Sequence, residues 1–335
     1  MVTYQNFLAR VAVGLSSAAI APMVIFQTAL PVEAASFSQI YAFGDSLVDT
    51  GNAFALTGIP PAEIPGLPGI PAYFDGNFAN GPIWTEYLAR DLGIPETSFG
   101  YGGAFTSEVG ALSANDQFIA FVPGTLAQVN SFLARSPIVD ENALYVIWAG
   151  ANDYLAGQQQ NPFIPVNNIG SAVSSLSTAG AKNFLLLNLP DIGKLPLIGL
   201  RGEPQPVVDG LNALSAAHNQ ALAAKVMDLN APGNIKVDLL DANSLIRSAM
   251  DGNQGFSNTT DACLLTPSCF FDLNERDSYL FWDAIHPSTQ AHRIVADNAL
   301  TLLHPQSKSV PEPATILGLM MIGGLALSQL KQKFA

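Results

Sequence analysis

Phe37-Ser38-Gln39-Ile40-Tyr41-Ala42-Phe43 runs straight into Gly44-Asp45-Ser46-Leu47-Val48-Asp49-Thr50-Gly51-Asn52. The first seven residues are largely apolar without strict alternation, the pattern of a strand covered on both faces. Gly44 then permits a sharp turn, and Ser46 stands at the strand's carboxyl end, where open α/β sheets place their ligands. If a helix begins here, Ser46 lies at its amino end, where backbone N–H groups can hold an oxyanion. A serine after an aspartate at a strand end is also an ordinary helix cap, so the motif alone leaves structure and chemistry both open.

The same continuous apolar pattern recurs at residues 143–149, 183–189 and 234–240, with a weaker run at 97–101. Segments of helical spacing lie between them. Residues 82–92 put Trp84, Tyr87, Leu88 and Leu92 along one side; 125–133, 166–176 and the longer 211–229 behave similarly. Alternation of this kind predicts right-handed crossovers and an α/β fold, a three-layer α/β/α sandwich around a central, mostly parallel sheet. Residues 58–82 and 252–274 break the rhythm and read as long loops, either walls of a site or surface decoration.

The two ends explain why 49% of the 335 residues are hydrophobic and only 12% charged. Residues 1–35 carry Arg10, an apolar stretch from Val11 to Leu30, and small residues at Ala34 and Ala35. That order reads as a secretory signal cut after Ala34 or Ala35, with a retained membrane anchor as the alternative. Residues 36–305 form the body. Residues 306–335 contain Val310-Pro311-Glu312-Pro313, an apolar run from Ala314 to Leu327, then Lys331 and Lys333. The run is at the short limit for crossing roughly 30 Å of bilayer, and the lysines favour a cytoplasmic end.

This tail resembles the PEP-CTERM sorting signal of bacterial surface proteins. The resemblance implies export machinery, transient membrane association, and removal of the tail by a dedicated PEP-CTERM-processing protease. The cell surface or extracellular matrix is then the destination. A plain C-terminal membrane anchor is the alternative.

The net charge of −13, with no cluster of Lys and Arg, excludes a nucleic-acid partner. Cys263 and Cys269 are the only cysteines. In an exported chain, two so close together read as a disulfide rather than a catalytic pair, and they lack the partners of a zinc site.

A second motif lies near the other end, Phe281-Trp282-Asp283-Ala284-Ile285-His286-Pro287. A neutral serine needs a base within hydrogen-bond reach, and an acid three residues before a histidine can fix its tautomer. A helix starting near Ser288 would favour the neutral imidazole. Gly100-Tyr101-Gly102-Gly103-Ala104 can present bare backbone N–H groups, and Gly150-Ala151-Asn152-Asp153 follows a strand and offers an amide. Each has a bland reading: a surface histidine, a glycine turn, an asparagine turn former.

Taken together, in the order Ser, Gly, Asn, Asp-x-x-His, the four segments resemble the GDSL (or SGNH) hydrolase family. The resemblance covers about residues 37–304. It includes Tyr73-Phe74-Asp75-Gly76-Asn77-Phe78-Ala79-Asn80-Gly81-Pro82-Ile83-Trp84, similar to a segment of the lipase-like branch. It implies an SGNH-hydrolase/flavodoxin-like sandwich and a serine esterase or lipase without metal or cofactor. In it Ser46 is nucleophile, Asp283 the orienting acid and His286 the base, while the Ser46 N–H, Gly103 N–H and Asn152 amide hold the oxyanion. Gly102 stays open as the alternative to Gly103. Two other functions are weighed. One is an O-acetylesterase acting on exported polysaccharide, with which PEP-CTERM proteins as a class are associated; the other is a surface protein that only binds.

Overall fold

The computed structural model describes residues 37–304, apart from 59–62, 65–66, 115–116 and 136–137. The leader and sorting-tail expectations at 1–35 and 306–335 therefore lie outside the described residues. All described residues belong to the unit Ala34–Ala335.

Five parallel strands form the central sheet: β1 (Ile40–Gly44), β2 (Glu96–Ser98), β3 (Leu144–Trp148), β4 (Asn183–Leu187) and β5 (Lys236–Leu240), in the order β2-β1-β3-β4-β5. Successive residues of each strand point to opposite faces, and both faces are apolar. Leu144, Val146 and Trp148 join Ile40, Ala42, Leu185 and Leu187 in one core; Tyr145 and Ile147 join Phe43, Phe184 and Leu186 in another. That is why the strands read as continuous apolar runs.

Helices cover each face. α1 (Trp84–Leu92), α5 (Ala242–Met250) and α6 (Thr289–Leu303) contribute Trp84, Leu88, Ala242, Val295 and Ala299 to the first core. α2 (Thr125–Arg135), α3 (Phe163–Thr178) and α4 (Gln205–Asn230) contribute Val129, Phe132, Ile169, Val173 and Leu222 to the second. The result is the expected three-layer α/β/α sandwich.

Three local expectations change. No helix starts at Ser46. The chain makes a turn there, closed by the Val48 N–H on Asp45 O at 3.1 Å, and a short helix begins only at Asn52 (Asn52–Thr57). The Asp49 carboxylate causes the delay by taking the N–H groups of Gly51 at 2.9 Å and Asn52 at 2.6 Å. Residues 252–274 are not simply a loop, because Asn258–Ala262 pairs in parallel with Tyr279–Phe281 and the Cys263–Cys269 bridge follows. The Pro- and Gly-rich stretch at 58–82 contains paired segments at Glu63–Ile64 and Leu67–Pro71. A hairpin at Val109–Ala114 and Gln117–Pro123, absent from the strand–helix pattern, packs Leu112 and Val122 against Ala53 and Phe78.

Candidate active site

The strand order reverses between β1 and β3, and a crevice outside the carboxyl ends of those strands is where this architecture places ligands. Ser46 follows β1 and Asn152 follows β3. Gly44 has φ of 143°, and a Cβ there would stand 1.9 Å from Trp148 O, so the approach of the two strand ends requires glycine. The buried Gln128 amide binds both backbone groups of Gly44, whose carbonyl also accepts the Tyr101 N–H at 3.1 Å. Its Oε1 accepts the Gly44 N–H and its Nε2 donates to Gly44 O, both at 2.8 Å. Trp84 Nε1 donates to Leu47 O at 3.0 Å, so the turn bearing Ser46 is held from above and below.

Asp283 and His286 occupy a turn between Tyr279–Phe281 and α6, closed by the Trp282 N–H on His286 O at 2.9 Å. Asp283 Oδ1 accepts the N–H groups of Ile285 at 2.7 Å and His286 at 2.6 Å. Its Oδ2 lies 2.6 Å from His286 Nδ1 and also accepts the Tyr73 hydroxyl at 2.5 Å. A carboxylate only accepts, so Nδ1 carries the proton. The other ring nitrogen, Nε2, then presents its lone pair to Ser46 Oγ, 2.8 Å away. Ser288 caps α6 just beyond, its Oγ donating to Tyr279 O at 2.8 Å and accepting from Ala291 N–H.

The glycine segment approaches from the side. The Gly102 N–H is already engaged, donating to Asp49 Oδ2 at 2.8 Å. Neither the Ser46 N–H nor the Gly103 N–H has an acceptor among the described residues. Gly103 has φ of 78°, and a Cβ on it would stand 2.4 Å from Ala111 O. The Asn152 amide reaches the same segment, donating to Ala104 O at 3.2 Å with its second hydrogen uncommitted there. Asp153, next to it, accepts from the Thr106 N–H at 3.0 Å and the Thr106 hydroxyl at 2.7 Å. The structure thus joins Ser46, His286 and Asp283 in one hydrogen-bonded chain, ties Asn152 to the glycine segment, and distinguishes Gly103 from Gly102 by what their N–H groups already do.

Burial governs the charges around this crevice. Desolvation pushes the carboxyl of Asp45 up to about 7, against its bond from Leu47 N–H, and that of Asp49 up to about 6, against four backbone N–H groups. Burial acts on Asp283 in the same sense, but the charge and hydrogen bonds of His286 and the Tyr73 hydroxyl outweigh it and leave Asp283 below the usual range. Asp283 stays ionised, whereas the buried Asp45 exchanges its proton near neutral pH. His292, buried on α6, is lowered to about 3 by desolvation and by the nearby His286, so it remains neutral.

A family model described as GDSL-like Lipase/Acylhydrolase matches residues 40–299. The chain belongs to this family. A second family model, the PEP-CTERM protein-sorting motif, matches residues 309–331. Among curated relatives, the thermolabile hemolysin of Vibrio parahaemolyticus is 30% identical, over 78% of this chain and 63% of its own length, so the chain spans less than two thirds of it. The phosphatidylcholine-sterol acyltransferase of Aeromonas hydrophila is 28% identical over 83% of this chain and 95% of its own. An acetylesterase of Thermothelomyces thermophilus is 28% identical over 80% of this chain and 90% of its own.

As a GDSL-like acylhydrolase, the chain is a carboxylic ester hydrolase. Several contacts of its site escaped sequence reasoning. Tyr73 and Phe78 lie in the stretch read as a loop, yet Tyr73 bonds Asp283 and the Phe78 ring centroid stands 5.0 Å from that of His286. The polar pattern of residues 73–84 was visible, but its partner lies 210 residues away along the chain. Gln128 sits on a helix whose apolar stripe gives no hint that one buried position is an amide.

Proposed function

We propose that the protein is an exported serine esterase or lipase that works through an acyl-enzyme on Ser46. The observation that carries this reading is the alignment of Ser46 Oγ, His286 Nε2 and Asp283 Oδ2, with His286 Nε2 2.8 Å from the serine and its Nδ1 2.6 Å from the carboxylate.

In the proposed reaction Ser46 Oγ attacks the ester carbonyl carbon while its proton passes to His286 Nε2. The negative charge collects on the carbonyl oxygen, held by the N–H groups of Ser46 and Gly103 and the Asn152 amide. Collapse breaks the bond to the alcohol, which leaves with the proton from His286. Water then attacks the acyl-enzyme and gives one proton to His286. The second collapse returns that proton to Ser46 and releases the acid. Asp283 orients the imidazole and stabilises its charged form throughout. Gly103 is preferred to Gly102 because the Gly102 N–H is bound to Asp49.

Acyl lipids or simple carboxylic esters are the proposed substrates, supported by likeness to the bacterial acyltransferase over nearly its full length. Likeness to the acetylesterase favours a second reading, removal of acetyl groups from exported glycan. The sorting motif supports passage across the membrane. We assign residues 1–35 as leader, 36–305 as the hydrolase domain and 306–335 as a temporary membrane anchor, with the cell surface or matrix as destination.

A fluorophosphonate probe should label the protein at Ser46 and block cleavage of p-nitrophenyl esters. Ser46→Ala and His286→Ala should each lose activity by about a thousandfold or more. Wild-type turnover by Ser46→Ala would sink the reading. Rates on p-nitrophenyl esters of increasing chain length, on phosphatidylcholine and on acetylated xylan would separate the two substrate classes.

A further inference from the structure

We propose that Tyr73 is a positioning residue for the Asp283–His286 pair, its phenol holding the same carboxylate oxygen that receives the imidazole. The inference rests on the roles proposed above for Asp283 and His286.

The four hydrogen bonds to the Asp283 carboxylate divide two and two between its oxygens. Both bonds to Oδ1 come from the turn itself, from Ile285 and His286 N–H groups, and they shape the backbone. On Oδ2, His286 Nδ1 stands at 2.6 Å and the Tyr73 Oη at 2.5 Å. Tyr73 is thus the contact to Asp283 from outside the turn that orients the oxygen facing the imidazole. It is the donor, since the carboxylate only accepts. Burial first, then the Asp283 charge, push the phenol well above its ordinary range, so it keeps that proton.

The segment bearing Tyr73 is built to hold still. Asn80 Oδ1 accepts the Thr289 N–H at 2.8 Å and Thr289 Oγ1 donates to Pro82 O at 2.8 Å, joining the segment to the first turn of α6 just after His286. The Phe78 ring packs on both partners, its centroid 6.1 Å from that of Tyr73 and 5.0 Å from that of His286. Tyr73 also packs on the cluster of Trp282 and the Cys263–Cys269 bridge. A stretch of the long loop therefore supports the catalytic turn from behind.

A carboxylate oxygen shared by two donors delivers less of its charge to either one. Removing the Tyr73 hydroxyl concentrates that charge on the imidazole and favours its protonated form. It also frees the carboxylate to rotate. Among the described residues, the other titratable groups that interact with His286 are Asp45 from the turn after β1 and His292 from α6, and Tyr73→Phe replaces neither.

The test is Tyr73→Phe in the full chain, assayed on p-nitrophenyl butyrate between about pH 5 and pH 9, with rates normalised to sites titrated by fluorophosphonate. That normalisation counts only folded sites. The acid limb of kcat/KM should move up by about half a pH unit, and kcat should fall about tenfold with KM within about twofold. In an Asp283→Asn background the same substitution should change kcat by less than about twofold, because its route of action is gone. An unmoved acid limb, or an equal fall in the Asp283→Asn background, overturns the proposal. The underlying reading fails separately: an active His286→Ala would refute that, whereas an inactive His286→Ala with an unmoved limb in Tyr73→Phe refutes only the role of Tyr73.

Discussion

The Gly102 N–H donates to Asp49 Oδ2 at 2.8 Å, tying the glycine segment to the loop that carries Ser46. Asp49 is fully buried and also accepts the N–H groups of Gly51, Asn52 and Ala53. One carboxylate thus delays the first helix, shapes the turn and leaves Gly103 as the glycine whose N–H is uncommitted.

Asp49→Ala strips four backbone donors of their acceptor. At about 1–3 kcal/mol for each donor left buried and unpaired, and with water reaching some of them, the expected loss is roughly 3 kcal/mol or more. Urea unfolding measures it. Turnover of p-nitrophenyl esters by the folded fraction should also fall at least about tenfold as Gly103 drifts from its place. A variant as stable and active as wild type would remove the clamp from the account.

Asn152 tests the proposed oxyanion site without touching the proposed nucleophile, Ser46. Its amide donates one hydrogen to Ala104 O, so truncation removes that bond as well, and rates are compared per folded site. Asn152→Ala should lower kcat by about 100-fold to 1,000-fold and leave KM nearly unchanged. A change confined to KM would place the amide in ground-state binding instead.

Asp45→Asn separates the buried Asp45 carboxyl from that of Asp283 by pH. The fold raises the Asp45 carboxyl from 3.8 to about 7, so over that interval the native state holds a proton the unfolded chain has lost. Its contribution to stability is present below about pH 4 and lost as pH rises through 7. The isosteric amide escapes that loss. Relative to wild type, Asp45→Asn should gain stability between pH 4 and pH 7, by up to a few kcal/mol, and hold the gain at higher pH. Urea titrations at the two ends of the window would expose the error if the difference were constant.

The Cys263–Cys269 bridge packs with Trp282, and the Leu264 N–H donates to Trp282 O at 2.8 Å next to Asp283. Replacing both cysteines by serine should cost roughly 2 kcal/mol, the loop entropy of so short a ring. Activity near the unfolding midpoint should fall before bulk structure does, because the bridge packs with Trp282, the residue next to Asp283. Coincident loss of activity and circular dichroism would show that the bridge acts only globally.

By itself, the sequence determined the layered α/β fold, because buried parallel strands and amphipathic helices write their periods locally. The runs at 143–149 and 183–189 became β3 and β4 with little change at their ends. It also put forward Ser46, Asn152, Asp283 and His286 as candidates, since Gly-Asp-Ser-Leu, Gly-x-Asn-Asp and Asp-x-x-His are short, contiguous patterns. The 2.8 Å approach of Ser46 to His286, across 240 residues, is a product of the sheet.

Only the tertiary structure decided the supporting contacts. Gln128 binding both sides of Gly44, Asp49 choosing between two adjacent glycines, and Tyr73 reaching Asp283 leave no period and no fixed spacing. The turn at Ser46, read as a possible helix start, was settled by the same logic. A buried carboxylate competes for the donors a helix would use, and where it stands depends on the packed fold.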